Sequence, residues 1–292
     1  MRIVVTGKSG QVARALNHVN NGRHELIFIG RPEADLERPD TLRAPIEAAR
    51  PDLILSSAAF TQVDACETAP DRARVVNGEA PGELARIAHD LGIPILHLST
   101  DYVFDGMLRR PYREDDAPHP LSVYGASKRA GEVAVAAATP RHLNLRVSWV
   151  YSQFSDNFLG AMLKLPQTRD TLNIVDDQVS CPTPAVELAS ALLDLAERLP
   201  SAAPDGYGIF HLAGADPVDR ATLARAIMDW ARAHDLPAAD VHGVPSSDFP
   251  TPAPRPHYSA LDCQKINAIY GIHLPSWRIW LGPCLEAIAA TR

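Results

Sequence analysis

Cysteine is scarce in this chain of 292 residues, and the four present, Cys66, Cys181, Cys263 and Cys284, lie far apart with no CxxC pair. That spacing argues against a disulfide framework and against a thiolate metal site. The 11 histidines form neither HxH nor HExxH, so no metal is expected. No apolar run approaches the roughly 20 residues of a membrane helix, and the first residues lack a signal-peptide charge pattern. The expectation is a cytoplasmic protein without a membrane partner. Basic excess is also missing: 28 Lys and Arg face 35 Asp and Glu, a net charge of -7. That argues against binding to a nucleic-acid backbone. There is no internal repeat and no low-complexity tail. The remaining balance, 46% hydrophobic and 22% charged, is that of an ordinary globular protein long enough for a large core and a second lobe.

What is present begins at once. Residues 2–5 form a β-branched run, followed by Thr6-Gly7-Lys8-Ser9-Gly10-Gln11-Val12-Ala13. Strand, glycine turn and helix in that order make a phosphate-cradling unit, in which free helix N–H groups face a pyrophosphate. The spacing is GxxGxxA, and Ala13 is small enough for close helix–strand packing. A second strand, 26–29, ends in Gly30-Arg31. An arginine here accommodates a ribose 2′-phosphate, or is simply a solvated surface residue. The reading leans to NADPH, with NADH as the alternative, and places Asp35 and Leu36 beside the adenine. After a helix at 41–50, a third strand at 52–56 runs into small residues, including Ala58, Ala59 and Thr61, which suit a cofactor crevice or merely tight packing. A helix at 77–91 and a strand at 93–98 follow. This alternation predicts an α/β fold with a doubly wound parallel sheet, Rossmann-like.

The fourth strand leads into Ser99-Thr100-Asp101-Tyr102, and an Ala-rich helix opens with Tyr124-Gly125-Ala126-Ser127-Lys128. Tyr124 and Lys128, four apart, share one helix face. An ammonium beside a phenol favours the phenolate, which lets the tyrosine pass a proton near neutral pH. The Thr100 hydroxyl can hold the same substrate oxygen. Between them lies a proline-rich polar loop, 105–122. A strand at 143–147 then runs into Trp149, a core residue or a sugar-stacking wall. Beyond it the alternation weakens, with helices at 157–165, 185–199 and 221–234, a short strand at 209–213 and a proline-dense run at 245–256. The division expected is 1–150 for the dinucleotide-binding domain and 151–292 for a smaller α-rich substrate lobe, with some segments returning to the sheet.

These residues carry a family resemblance. Thr6-Gly7-x-x-Gly10-x-x-Ala13 with Tyr124-x-x-x-Lys128 resembles the extended short-chain dehydrogenase/reductases. Ala58-Ala59-x-Thr61-x-Val63-Asp64, Ser99 to Phe104, Ser148-Trp149-Val150-Tyr151, Asp177-Gln178-x-x-x-Pro182-Thr183 and Arg255-Pro256-x-x-Ser259-x-Leu261 narrow it to the dTDP-4-dehydrorhamnose reductases. The resemblance implies reduction of a dTDP-4-keto sugar by NAD(P)H. Thr100, Tyr124 and Lys128 would be catalytic, with Asp101, Trp149 and Asn157 toward the sugar and Arg255 toward the diphosphate. A homodimer is compatible with it. Ala15, however, stands where some relatives have a glutamate implicated in a metal-linked dimer, so neither that metal nor that dimer carries over. Two alternatives stay open: an epimerase or dehydratase of the same superfamily that returns its hydride, and a non-catalytic regulatory subunit of the same fold.

Overall fold

The computed structural model describes residues 1–154 and 157–291. The chain opens with β1 (Arg2–Thr6), α1 (Gln11–Val19) and β2 (Glu25–Ile29), followed by α2 (Arg43–Ala49) and β3 (Leu53–Ser56). Helices α3 (Val63–Thr68), α4 (Pro70–Ala73) and α5 (Ala80–Asp90) precede β4 (Ile95–Thr100), α6 (Val123–Ala138) and β5 (His142–Val147). Every residue of β3 and β4 is buried, as expected for parallel strands covered on both faces. Six strands pair in parallel, in the order β10-β5-β4-β3-β1-β2, where β10 is Gly208–His211. The chain winds outward from β1 to β2, then returns to β3 and continues the other way. Strand order therefore reverses between β1 and β3, and ligands bind such sheets at the carboxyl ends of the strands beside that reversal.

One sheet face is closed by α1 together with α8 (Ala185–Arg198), through Ala15, Leu16, Leu188, Leu192 and Leu195. The other is closed by α2, α5 and α6, through Ile46, Leu84, Ile87 and Val135. The chain after residue 150 thus supplies a covering helix and an edge strand to the sheet, and α10 (Gln264–Tyr270) packs beside that edge through Ile266 and Tyr270.

The remaining elements build a smaller lobe around a separate apolar cluster of Leu159, Met162, Leu223, Ile227, Trp277 and Leu285. They are β6 (Val150–Tyr151), α7 (Phe158–Lys164), β7 (Thr171–Val175), β8 (Val179–Ser180), β9 (Thr183–Pro184), β11 (Val218–Asp219), α9 (Arg220–Ala233), β12 (Asp240–Val244) and α11 (Trp277–Ala289). The parallel pair β7–β12 and helices α10 and α11 are not anticipated from the sequence. Both strands are half exposed and lack clean alternation, so neither shows a strand pattern until its partner is alongside.

The helix expected at 77–91 begins earlier, and a π-helical turn over Arg74–Glu79 interrupts it. Within that turn Asn77 is fully buried. Its side-chain oxygen accepts from the Phe60 amide at 2.8 Å, and its nitrogen donates to the Phe60 carbonyl and the Ser127 hydroxyl, both at 3.0 Å. One asparagine therefore fixes the loop after β3 against α6. Helix α6 itself is seated backbone to backbone. A Cβ at Gly125 would stand 2.1 Å from the Tyr102 carbonyl oxygen, and one at Gly131 would stand 2.2 Å from that of Asn77. Only glycine permits these approaches, and they set the height of Tyr124 and Lys128 over the sheet.

Candidate active site

A cleft of about 1020 Å³ runs along the carboxyl ends of β1, β3, β4 and β5. At its floor the two strands beside the reversal are tied together. The Thr6 hydroxyl oxygen accepts from the amides of Ser57 at 3.0 Å and Ala58 at 3.1 Å, while the Ser57 hydroxyl donates to the Thr6 carbonyl at 2.7 Å. Gly7 has φ +93, and a Cβ there would come within 3.1 Å of the Ala58 methyl. Beyond it, α1 begins at Gly10 with no side-chain cap and no acidic residue in its first turn. Open N–H groups and a positive helix end thus face the cleft, as a pyrophosphate requires. Lys8, Ser9, Gln11 and Val12 line this end, together with Ala58, Ala59 and Thr61. The Gln11 side chain looks away, donating to the Val150 carbonyl at 3.3 Å and accepting from Ser152 at 2.8 Å and Asn157 at 3.1 Å.

Arg31, Asp35 and Leu36 line the outer end of the cleft with Arg72. Arg31 is exposed and 3.8 Å from Glu37; Lys8 pairs with Glu33 at 2.8 Å, and Arg72 with Glu37 at 2.7 Å. Asp35 uses its carboxylate locally, accepting from the Glu37 amide at 3.0 Å. Arg72 lies over the Phe60 ring at 4.6 Å. Three cations, each paired with a glutamate, therefore stand at this outer end of the cleft. The cleft floor and this cationic end fit NADPH.

At the inner end, Thr100 closes β4 and Tyr124 and Lys128 stand one turn apart on α6. All three line the cleft; Thr100 and Lys128 are buried and Tyr124 is partly buried. Ser122 caps the helix, its hydroxyl accepting from the Gly125 amide at 3.2 Å. Burial pushes the Tyr124 phenol well up from its ordinary value, with only the Thr100 hydroxyl beside it pulling the other way. The phenolate-favouring influence expected from the lysine is not among the groups that shift this phenol. Lys128 Nζ instead donates to the Leu98 carbonyl at 2.7 Å and stands 3.3 Å from His97 Nε2. Burial lowers the ammonium to about 8, with Glu132 opposing. His97, held well below its usual value by burial and by Lys128, is neutral and closes the arrangement through Ser56 at 3.0 Å.

Trp149 lines the cleft from the lobe side with φ +40, a left-handed conformation unusual for a bulky residue. Its ring meets Phe158 edge-on at 5.4 Å and carries the Arg220 guanidinium at 4.8 Å. Arg220, first residue of α9, also donates to Gln178 at 3.2 Å and Tyr102 at 3.4 Å and lines the cleft. Sequence reasoning misses it, because a lone arginine at a helix start carries no local signal. Arg255 is placed outside the cleft wall, its guanidinium clamped on Asp64 at 2.8 and 3.1 Å and on the Ala253 carbonyl at 2.9 Å. Asn157 caps α7 with its side-chain oxygen and holds Gln11 with its nitrogen. Asp101 does line the cleft, but it is only 3% exposed and three hydroxyls occupy its carboxylate.

A doubly wound sheet, a glycine turn at its reversal and a threonine–tyrosine–lysine group across the cleft define an extended short-chain dehydrogenase/reductase. Residues 1–290 match the family model described as RmlD substrate binding domain. A dTDP-4-dehydrorhamnose reductase of Sinorhizobium fredii is 44% identical over 95% of this chain and 94% of its own. Among solved structures, a dTDP-4-dehydrorhamnose reductase of Clostridium acetobutylicum superposes with TM-score 0.92 at 30% identity, covering 99% of this chain and 100% of the other. One of Bacillus anthracis in complex with NADP gives 0.89 at 26%, covering 100% and 99%. The chain belongs to the dTDP-4-dehydrorhamnose reductase family.

Proposed function

We propose that the protein reduces the 4-keto group of dTDP-4-dehydro-L-rhamnose, using NADPH, to give dTDP-L-rhamnose. The observation that carries the reading is the Thr100–Tyr124–Lys128 group facing a glycine turn across one cleft, in a chain of this family. NADPH, when bound, supplies hydride to the sugar carbon. The open first turn of α1 would hold its pyrophosphate and Lys8 and Arg31 its 2′-phosphate, while the Lys128 ammonium would hold the nicotinamide ribose. Tyr124 gives its proton to the ketone oxygen as negative charge develops there, and Thr100, whose own hydrogen goes to Asp101 at 3.1 Å, would hold the phenol in place beside it. A phenol whose burial keeps it protonated is suited to that direction of transfer. Trp149 would wall the sugar, with Arg220 toward the diphosphate, where a planar guanidinium matches phosphate oxygens.

Among the described residues no helix is long and apolar enough to cross a membrane. Both reactants are charged nucleotides, and we place the reaction in the cytoplasm.

The test is NADPH absorbance with purified protein and enzymatically generated dTDP-4-dehydro-L-rhamnose. Oxidation coupled to dTDP-L-rhamnose is expected; no oxidation with a competent substrate would refute the reading. The cationic end of the cleft predicts cofactor choice. Replacing Lys8 and Arg31 together by alanine should raise the KM for NADPH by roughly tenfold, the worth of one charge-assisted hydrogen bond, and leave that for NADH unchanged. Equal losses for both cofactors would contradict the assignment.

A further inference from the structure

Asp101 sits directly behind Thr100 and is joined to three separate parts of the chain. Its Oδ1 accepts from the Thr100 hydroxyl at 3.1 Å. Its Oδ2 accepts from Ser148, just past β5, at 2.9 Å and from Ser259, near the end of the chain, at 2.5 Å. Ser148 in turn accepts from the Cys181 amide at 3.2 Å. No arginine or lysine pairs with this carboxylate among the described residues. Burial raises its pKa, and the three hydroxyls work against that rise.

The neighbour matters because Thr100 is committed on two sides. Its oxygen accepts from the Tyr102 amide at 3.2 Å, its hydrogen points to Asp101, and the Tyr124 hydroxyl lies beside it. A threonine hydroxyl otherwise chooses among rotamers; here the carboxylate chooses for it. Ser259 is 158 positions from Asp101, and it reaches the site through an extended segment whose Ser259 amide donates to the Val179 carbonyl at 2.8 Å. The folding of the C-terminal segment onto the lobe is thereby connected to the hydroxyl beside Tyr124.

We propose that Asp101 is a positioning residue: its carboxylate, held by Ser148 and Ser259, fixes the Thr100 hydroxyl beside Tyr124 and does not itself contact the sugar. The inference rests on the reductase reading for its kinetic test and on structure alone for a second one. Ser259→Ala should lower kcat by about tenfold, and Asp101→Asn by roughly 10- to 100-fold, the range for a lost hydrogen bond to a charged group. The KM for NADPH should stay constant. In a Thr100→Ala background the same two substitutions should change kcat less than about twofold, because residues acting as a unit are non-additive. Losses that persist undiminished in that background, or that appear in the KM for the sugar, would overturn the proposal. Should Asp101→Asn fail to fold, Ser259→Ala, a deletion of one oxygen, carries the cycle alone. The second test needs no turnover: the Thr100 methyl resonance of the NADPH-bound protein should shift in Ser259→Ala. A methyl that does not move would overturn the proposal even if the sugar substrate were another, whereas absent turnover in the parent enzyme would count against the reductase reading.

Discussion

Tyr124→Phe is expected to lower kcat by roughly 10²- to 10⁴-fold, the usual contribution of a positioned general acid, with NADPH affinity almost unchanged. The substitution removes one oxygen and keeps the ring. The edge-on contact with Tyr102 at 5.9 Å survives, as does the seating of α6 through Gly125 and Gly131. The fold and the cofactor end of the cleft therefore have no reason to change. What is lost is the phenolic proton beside Thr100, held in place until an oxyanion forms nearby. Steady-state kinetics with a fluorescence titration of NADPH separates the two effects, and parallel loss of both would contradict the role. The same geometry sets the pH response. Lys128 is cationic below its lowered pKa of about 8, so kcat/KM should be retained below that pH and fall as pH rises through it. A plateau continuing to the ordinary lysine range would show that the ammonium is not needed.

The second large effect is on stability. Arg146 and Glu132 are both buried, the guanidinium donating to the two carboxylate oxygens at 2.8 and 2.9 Å. Ser99 at 2.6 Å and Arg129 at 2.8 Å complete the carboxylate, and Arg146 also lies over the Phe104 ring at 4.9 Å. Burial raises the Glu132 pKa, but the hydrogen bonds and charge of Arg146 outweigh it and leave the carboxyl below its ordinary value. Its stabilising contribution is thus present above the ordinary glutamate range and lost as pH falls through the lowered value. Arg146→Met should cost about 3–5 kcal/mol by urea denaturation, because it leaves a buried carboxylate without its buried cationic partner. Adding Glu132→Leu should recover much of that loss, since an apolar pair of similar volume often replaces a buried ion pair at little cost. A single variant losing less than about 1 kcal/mol would show that the pair behaves like a surface one.

How much of this was readable in the chain follows from distance along it. Gly7 and Gly10 announce themselves because turn and helix are neighbours in sequence. Tyr124 and Lys128 do so because helical spacing puts them on one face, and Thr100 because it ends an apolar run. The sheet follows from alternation alone. Asn77 and Arg220 have no such local mark, and Ser148 and Ser259 stand out only as members of the family motifs; each acquires its part from a partner brought in by the fold. Arg255 shows this most plainly, since its carboxylate partner Asp64 is 191 positions away. What surrounds the Lys128 ammonium is hidden for a related reason. Spacing gives the nearness of Lys128, but burial and the Leu98 carbonyl that turns the ammonium aside exist only in three dimensions.

The account stands most directly on where the hydride goes. NADPH deuterated at its transferable position, incubated with the protein and dTDP-4-dehydro-L-rhamnose, should give dTDP-L-rhamnose carrying the label at C4, with one NADPH consumed for each sugar formed. A sugar altered without net NADPH oxidation, or reduced without label at C4, would mean that hydride is returned or delivered elsewhere, and would contradict the reductase reading.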